Sequence, residues 1–190
     1  MEILKQDKFI LDATAGYRQI WFDKNNPHTL YLDQRSGIEI IEDIKKHKLN
    51  RKKPRPSKKL LDLSNTVKGD FRKTNYPSES FKLIVWDPPY YTNNKSKTSW
   101  MYLYFGALEP ETWQSDLKQG ANELFRLLVP YGILIFKWNN KQIPVKDVLK
   151  LFPVRPLFGQ RLNNIGSEKK VKKHSTFWLC FMKFPTVGDK

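Results

Sequence analysis

Three short apolar runs, each ending in an aspartate, constrain the fold of this chain more than any other feature of its sequence. They occupy residues 8–12 (KFILD), 29–33 (TLYLD) and 82–87 (KLIVWD). Short runs of this kind are typical of buried parallel strands. Pro88 and Pro89 end the third run, because a proline cannot donate to a ladder of strand hydrogen bonds. The runs therefore predict an α/β protein.

Periodicity predicts four further elements: a helix at residues 111–128, a strand at 131–138, a short amphipathic helix at 145–151 and a final strand at 175–183. Pro130 and Gly132 are expected to end the first of these helices. Strands that alternate with helices indicate a mostly parallel sheet with helices on both faces. The length of 190 residues favours a single domain, 1–190.

Composition excludes several classes of protein. The longest apolar runs are six residues, far below the ~20 that a membrane-spanning helix needs, and charged residues among the first eight leave no room for a secretory signal. A cytoplasmic location is therefore expected. One cysteine, Cys180, and three scattered histidines offer neither a disulfide nor the ligand spacing of a metal site.

Positive charge is concentrated in two segments. The net charge is +15; residues 45–59 hold nine Lys and Arg with no acidic residue, and residues 169–173 hold four more lysines. We predict a basic insertion at about residues 44–60, either a loop or a helix extension, that binds a nucleic acid. Its Lys52, Lys53 and Arg55 are expected to contact phosphates. The alternative is a solvated loop without a ligand.

The tetrapeptide Asp87-Pro88-Pro89-Tyr90 is the strongest candidate for chemistry. Ligands of an open α/β sheet bind beyond the carboxyl ends of its strands, where this tetrapeptide is expected to lie. The prolines fix φ, so that the Asp87 carboxylate and a neighbouring carbonyl form a pair of acceptors for an amino group. The Tyr90 ring offers a flat surface for stacking. The alternative is a rigid turn whose tyrosine packs on the sheet.

DPPY after an apolar strand resembles the signature of class I S-adenosylmethionine-dependent methyltransferases that modify exocyclic amino groups of nucleobases, including phage and prophage enzymes. The resemblance implies a Rossmann-like fold with an antiparallel last strand, S-adenosyl-L-methionine as cofactor, and methyl transfer to adenine N6 in DNA or RNA. It assigns Asp87, Pro88, Pro89 and Tyr90 to catalysis. We expect no separate target-recognition domain, so that a partner subunit is one source of target contacts.

The segment DATAGY at 12–17 resembles the cofactor loop of the same family. The resemblance assigns four residues to the methionine part of the cofactor: Asp12, Thr14, Ala15 and Gly16. A helix is expected after Gly16, with its positive end toward the ligand. Asp12 receives the ammonium group or orients bound water, and the alternative is that it serves as the N-cap of that helix. The family has Phe where Thr14 stands and a second Gly where Arg18 stands.

Two further segments complete the predicted cofactor site. Asp33 ends the second apolar run, where Rossmann-like folds place a carboxylate on ribose hydroxyls. The segment 69–71 (GDF) resembles the part of the family that pairs an aspartate with the adenine amino group. The resemblance gives that role to Asp70, and Phe71 is expected to stack on the adenine.

Residues beyond the tetrapeptide are candidates for target binding. Tyr91 and Trp100 provide either stacking surface or core packing, and Lys137, in the strand at 131–138, is expected at the same edge of the sheet. Three more aromatic residues are better explained as the core of a short helix: Tyr102, Tyr104 and Phe105.

Other functions stay open. Thr14 and Arg18 depart from the cofactor motif, which favours a catalytically weak, methyltransferase-like subunit that binds nucleic acid. Related tetrapeptides also act on amino groups of cytosine, guanine or protein amides, although the charge of +15 favours a polyanion as substrate.

Overall fold

Strands and helices alternate along the chain in the computed structural model, which describes residues 7–49, 62–92, 100–164 and 174–185. In chain order the elements are β1 (Ile10–Asp12), β2 (Thr29–Asp33), α1 (Gly37–Leu49), β3 (Thr66–Lys68), β4 (Phe81–Trp86), α2 (Trp100–Phe105), α3 (Trp113–Leu127), β5 (Leu128–Asn139), α4 (Val145–Leu149), β6 (Phe158–Asn164) and β7 (His174–Met182). No helix among the described residues combines the length and the apolar character that crossing a bilayer requires.

The strands form one sheet in the order β3-β2-β1-β4-β5-β7-β6. β7 runs antiparallel to its neighbours β5 and β6, whereas the other paired strands are parallel. This confirms the predicted α/β fold, a mostly parallel sheet flanked by helices with an antiparallel last strand. Because parallel strands end at the same edge, Asp12, Asp33 and Asp87 come to one edge of the sheet.

The main core lies between the central strands and α3. Leu117, Ala121 and Leu124 of α3 have no exposed surface. Trp86 at the end of β4 is also fully buried, and its ring centroid lies 5.2 Å from that of Phe136 on β5. Burial of large aromatic side chains stabilises a core strongly, so this packing fixes the ends of β4 and β5.

A second, smaller cluster supports the elements around the sheet edge. Ile40 and Ile44 of α1 pack against Leu63, and Tyr17 and Tyr104 contact them. The cluster therefore joins α1, α2 and the loop after β1.

Most of the predicted elements are confirmed within a few residues. The helix predicted at 111–128 spans Trp113–Leu127, and the strand predicted at 131–138 spans Leu128–Asn139. The sequence does not predict β3 or β6, because β3 has three residues and β6 is a mostly polar strand at the sheet edge. Polar edge strands lack the apolar signal that identifies a buried strand.

The predicted basic insertion begins within a helix. Because α1 ends at Leu49, residues 45–49 extend a helix, as one of the two alternatives predicts. Residues 50–61 lie outside the described residues, and so does the second basic segment at 169–173.

The helix predicted after Gly16 does not form. Residues 13–28, all of them described, form successive turns instead. Gly16 and Arg18 have left-handed backbone conformations, with φ of 47° and 52°, which a right-handed helix does not accommodate. The expectation of a helix N-terminus at this loop is therefore wrong, and so is the alternative that made Asp12 its N-cap.

Arg18 holds this loop in its turn conformation. The side chain is fully buried, and its guanidinium lies 3.6 Å from the centroid of the Tyr31 ring. It donates four hydrogen bonds to neutral acceptors: Lys24 O at 2.6 Å, Asn25 Oδ1 at 2.7 Å, Asn65 Oδ1 at 2.6 Å and Thr66 Oγ1 at 2.8 Å. The loop after β1 is thereby joined to β2 and to the start of β3.

Candidate active site

A cavity of about 430 Å³ lies at the edge where β1, β2 and β4 end. This volume is within the usual range of small-ligand sites, about 300–1,000 Å³. Nine of the predicted site residues line it: Asp12, Thr14, Ala15, Gly16, Asp33, Phe71, Asp87, Pro89 and Lys137. The predicted cofactor loop and the tetrapeptide therefore face one common space.

The other predicted site residues do not line this cavity. Pro88, Tyr90 and Tyr91 adjoin it in the chain, whereas Asp70 lines a neighbouring cavity of about 330 Å³. Four predicted residues have side chains outside the described part of the chain: Trp100, Lys52, Lys53 and Arg55.

Asp12 is a buried carboxylate at the floor of the cavity. Its Oδ1 accepts a hydrogen bond from the Thr14 amide at 3.2 Å, and its Oδ2 accepts one from Trp21 Nε1 at 2.6 Å. Burial raises the pKa of Asp12 to about 7, although the two hydrogen bonds act in the opposite direction and lower it. The nearby charges of Asp87 and Asp33 raise it further. No sequence signal indicates the Trp21 contact.

Gly16 and Asp33 connect the ends of β1 and β2. The Gly16 amide donates to Asp33 Oδ2 at 2.9 Å. Asp33 Oδ1 accepts hydrogen bonds from the amide and the Nε of Arg35, at 3.0 and 3.2 Å. Arg35 also donates to the backbone carbonyl of Leu103 in α2 at 2.6 Å. The Asp33 carboxylate is therefore held in a fixed orientation at the cavity wall.

Asp87 follows β4 and is fixed from two sides. Its amide donates to Thr14 Oγ1 at 2.9 Å, a bond that the phenylalanine of the family motif has no atom to accept. Its Oδ2 accepts a hydrogen bond from Lys137 Nζ at 2.5 Å. Burial raises the pKa of Asp87, while the charge of Lys137 and this hydrogen bond oppose the shift.

Tyr90 packs beside the cavity rather than inside it. Its ring meets Trp138 edge to face, with the centroids 6.5 Å apart, and lies 4.8 Å from the ring of Tyr91. Burial raises the pKa of Tyr90 to about 12, with Tyr91 and Asp87 acting in the same direction. The phenol therefore stays protonated at neutral pH.

Phe71 and Asp70 occupy different surroundings. Phe71 is 7% exposed, and its ring centroid lies 5.4 Å from that of Trp86. The Asp70 carboxylate accepts hydrogen bonds from Arg72, the shortest at 2.6 Å, and Arg72 also binds Asp116 at 2.6 Å. These bonds with Asp70 and Asp116 raise the pKa of Arg72. Gly69 lines both cavities and so marks the point where they adjoin.

Residues of α2 and the chain directly after it line one side of the cavity. The Leu108 amide donates to the Tyr91 carbonyl at 2.7 Å, which joins the chain after α2 to the residue that follows the tetrapeptide. The predicted short helix is confirmed as α2. Its aromatic residues do more than the core packing expected of them, because three of them line the cavity: Tyr102, Tyr104 and Phe105. Their position shortly after the tetrapeptide is the sequence signal that could have indicated a place at the cavity.

Known structures with a similar fold include methyltransferases. The chain resembles an S-adenosylmethionine-dependent methyltransferase from Methanosarcina mazei with a TM-score of 0.54 and 11% identity, over 95% of this chain and 94% of the other. A weaker match is an rRNA methylase from Streptococcus thermophilus, with a TM-score of 0.44 and 10% identity over 97% and 92% of the two chains. Another is a candidate DNA modification methylase from Thermus thermophilus complexed with S-adenosyl-L-methionine, with a TM-score of 0.41 and 21% identity over 62% and 51%. No protein-family model and no curated protein matches the sequence.

The strand order, the reversed β7 and the likeness to the Methanosarcina structure define the fold as that of class I S-adenosylmethionine-dependent methyltransferases. Two features characterise the cavity side of this chain. Asp87-Pro88-Pro89-Tyr90 follows β4 at the cavity, and a turn loop held by Arg18 replaces the helix expected after β1.

Proposed function

We propose that the protein is an S-adenosylmethionine-dependent N-methyltransferase that acts on an exocyclic amino group of a nucleobase, with adenine N6 in DNA or RNA as the first choice. One observation carries the proposal: the carboxylate of the Asp87-Pro88-Pro89-Tyr90 tetrapeptide faces the same cavity as the loop Asp12 to Gly16. An acceptor for an amino group thus adjoins a ligand-sized space.

The residues around the cavity fit this cofactor. Six acidic residues line it, among them Asp12, Asp33 and Asp87, against three basic ones. This excess of negative charge complements a ligand that carries a sulfonium and an ammonium group. Asp33 would hold the ribose hydroxyls, and Asp12 the ammonium group. When bound, S-adenosylmethionine supplies an electrophilic methyl group.

The adenine end of the cofactor would lie near Gly69, where the two cavities adjoin. Phe71 is the proposed stacking partner, because it lines the main cavity. Asp70 stays the proposed partner of the adenine amino group from the neighbouring cavity. A carboxylate has about four lone-pair sites, and Asp70 already accepts four hydrogen bonds from Arg72, so the adenine amino group would have to displace one of them.

The chain's own contribution to catalysis is positioning. The lone pair of an exocyclic amine is delocalised into its ring, which makes the nitrogen a poor nucleophile. The Asp87 carboxylate and the Pro88 carbonyl would each accept one amino hydrogen, so that the lone pair points into the cavity. The amine loses one proton when it gains the methyl group, and the Asp87 carboxylate is the proposed first acceptor of that proton.

Binding of the target base is assigned to aromatic side chains. Tyr90 is half-buried and is supported on one side by Trp138. We infer that a base taken from a single strand or flipped out of a duplex stacks on Tyr90, with Tyr91 and Trp100 as neighbouring contacts. Lys137 lines the same end of the cavity, where its ammonium group donates a hydrogen bond to Asp87.

The nucleic-acid partner is supported by the net charge of +15. Lys52, Lys53 and Arg55 remain the proposed phosphate contacts, which would give affinity without base specificity. A partner subunit remains the proposed source of target recognition.

A catalytically weak subunit is the second candidate. The turn loop at 13–28 favours it, because this loop presents no helix N-terminus to the cofactor. Calorimetry with S-adenosylmethionine separates the two candidates: micromolar or tighter binding favours the enzyme, and no measurable binding favours the subunit.

The activity is tested directly with a tritiated methyl donor. DNA, tRNA and rRNA pools are incubated separately with the protein, and labelled nucleosides are identified by mass spectrometry. Label on an exocyclic nitrogen of a base supports the proposal, whereas label on carbon, on ribose or on protein contradicts it. Asp147→Ala is the matched control for substitution of Asp87, because Asp147 lies on α4 and does not line the cavity.

A further inference from the structure

Asp12, Asp87 and Lys137 lie at the ends of three neighbouring strands. β1, β4 and β5 are adjacent in the sheet, and Trp86 pairs with Phe136 in the register of β4 and β5. Asp87 and Lys137 each follow these paired residues by one position, which places their side chains next to each other. Lys137 Nζ lies 2.5 Å from Asp87 Oδ2, and both side chains are mostly buried.

The two aspartates have hydrogen-bond partners of different charge. Asp12 accepts from an indole and from a backbone amide, both neutral, whereas Asp87 accepts from the ammonium group of Lys137. Two buried carboxylates that repel each other do not both ionise easily, and a cation beside one of them favours the charged form of that one.

We propose that Lys137 is a positioning residue that keeps Asp87 ionised near neutral pH, so that Asp12 is the first of the two carboxylates to take up a proton as the pH falls. The groups that face Asp87 are Asp12 from β1, Lys137 from β5 and Tyr90 from its own segment. This role rests on the proposed function, because only an ionised Asp87 presents both of its oxygens as acceptors, one for Lys137 and one for the target amine.

The geometry leaves one Asp87 oxygen for that amine. Lys137 binds Oδ2, and within the described part of the chain no hydrogen-bond donor contacts Oδ1. If Asp87 were protonated, its hydroxyl would become a donor and would compete with the amine for the same position. The Lys137 ammonium group prevents this arrangement at the pH where the enzyme works.

The pKa values of the two aspartates test the proposal without any turnover. The carboxyl carbons of ¹³C-aspartate-labelled protein are titrated by NMR, with Asp12 and Asp87 assigned from Asp12→Asn and Asp87→Asn. In the unmodified protein, Asp87 is expected to titrate at lower pH than Asp12. The reverse order overturns the proposal, and this result needs no substitution of Lys137.

Three lysine variants then test the cause. Lys137→Met is expected to move the Asp87 midpoint up by about 1–3 pH units, the range for loss of a close opposite charge. Lys137→Arg keeps the charge and is expected to keep the midpoint. Lys146→Met on the exposed side of α4 is the matched control and is expected to leave it unchanged. A folded Lys137→Met protein with an unmoved Asp87 midpoint overturns the proposal.

Methyl transfer provides a second readout. The acidic limb of the pH profile of kcat should move to higher pH in Lys137→Met by the same amount as the Asp87 midpoint, and stay in place in Lys137→Arg. If the unmodified protein transfers no methyl group to any nucleic acid, the proposed function fails, and the NMR titration still decides the role of Lys137.

Discussion

Replacement of Arg18 tests whether this buried side chain stabilises the loop after β1. Its guanidinium donates four hydrogen bonds, and Asn65 and Thr66, two of the acceptors, lie 47 and 48 residues away in the chain. Hydrogen bonds from a charged donor contribute about 1.5–3 kcal/mol each. Arg18→Ala removes all four and also removes the contact with the Tyr31 ring.

Burial of the guanidinium offsets much of this gain. All four acceptors are neutral, and Arg18 Nε is buried without a partner in the described chain. The cost of burial is visible as a lowered pKa of Arg18. Taking a charged group out of water costs several kcal/mol, so we expect Arg18→Ala to lower the free energy of unfolding by about 3 kcal/mol.

Arg18→Gly separates the backbone effect from the side-chain effect. The φ of 52° at this position is unfavourable for any residue with a Cβ, by about 1–2 kcal/mol, whereas glycine adopts it readily. The greater freedom of glycine in the unfolded chain removes part of this advantage. Arg18→Gly should therefore be about 0.5–1 kcal/mol more stable than Arg18→Ala.

Urea denaturation of the three proteins measures both differences. A loss of about 3 kcal/mol corresponds to a fall in Tm of roughly 6–12 °C for a chain of this size. Arg155→Ala, at an exposed arginine, is the control and should change stability by less than about 0.5 kcal/mol. A loss below about 1 kcal/mol in Arg18→Ala, or a glycine variant no more stable than the alanine variant, would refute the reasoning.

Three other predictions follow from the site. Asp87→Ala should lower kcat by about 100-fold or more while the calorimetric Kd for S-adenosylmethionine changes less than about threefold; normal turnover would remove Asp87 from catalysis. Gly120→Ala places a Cβ 2.5 Å from the Phe71 ring and should lower the free energy of unfolding, measured by urea denaturation, by about 1–3 kcal/mol. Cofactor binding should also weaken, and unchanged stability would show that the ring can move. Replacing the basic residues of 45–59 with glutamine should flatten the salt dependence of nucleic-acid binding without changing cofactor affinity, and an unchanged slope would show that this segment is not a phosphate contact.

The sheet and the location of the site could be predicted because their signals are local. Each of the three runs that end in Asp12, Asp33 and Asp87 carries its own apolar pattern, and parallel strands bring their ends to one edge. No contact between residues distant in the chain has to be known to place these carboxylates together. For the same reason, the helix at 111–128 is predicted almost to its ends.

The features that the sequence does not predict depend on distant partners. The loop after β1 takes its conformation from the contacts of Arg18 with Asn65 and Thr66, and no local pattern identifies a buried arginine whose acceptors are neutral. The orientation of Asp70 depends in the same way on Arg72, which also binds Asp116 in α3. Such contacts become visible once the chain has folded.

The departure at Arg18 then has a physical explanation. The related motif has glycine at this position, and the left-handed backbone of Arg18 is a conformation that glycine adopts without strain. In this chain arginine occupies that conformation, and its side chain joins the loop to β3. Thr14 is a similar case, because its hydroxyl binds the amide of Asp87. Both departures strengthen contacts around the cavity, which weighs against the interpretation that they abolish cofactor binding.

The charge distribution separates the proposed site of the cofactor, inside the cavity, from that of the nucleic-acid backbone, outside it. The chain carries +15, yet six acidic residues line the cavity against three basic ones, and the carboxylates of Asp12, Asp33 and Asp87 are among them. A negative lining attracts a cationic cofactor and repels phosphate, while a basic exterior attracts phosphate. A nucleic acid would therefore be held by its backbone outside the cavity, and an uncharged base is the part of it that can enter. This arrangement selects against transfer to phosphate or carboxylate groups and favours transfer to a neutral amine, the kind of group that Asp87 is positioned to accept.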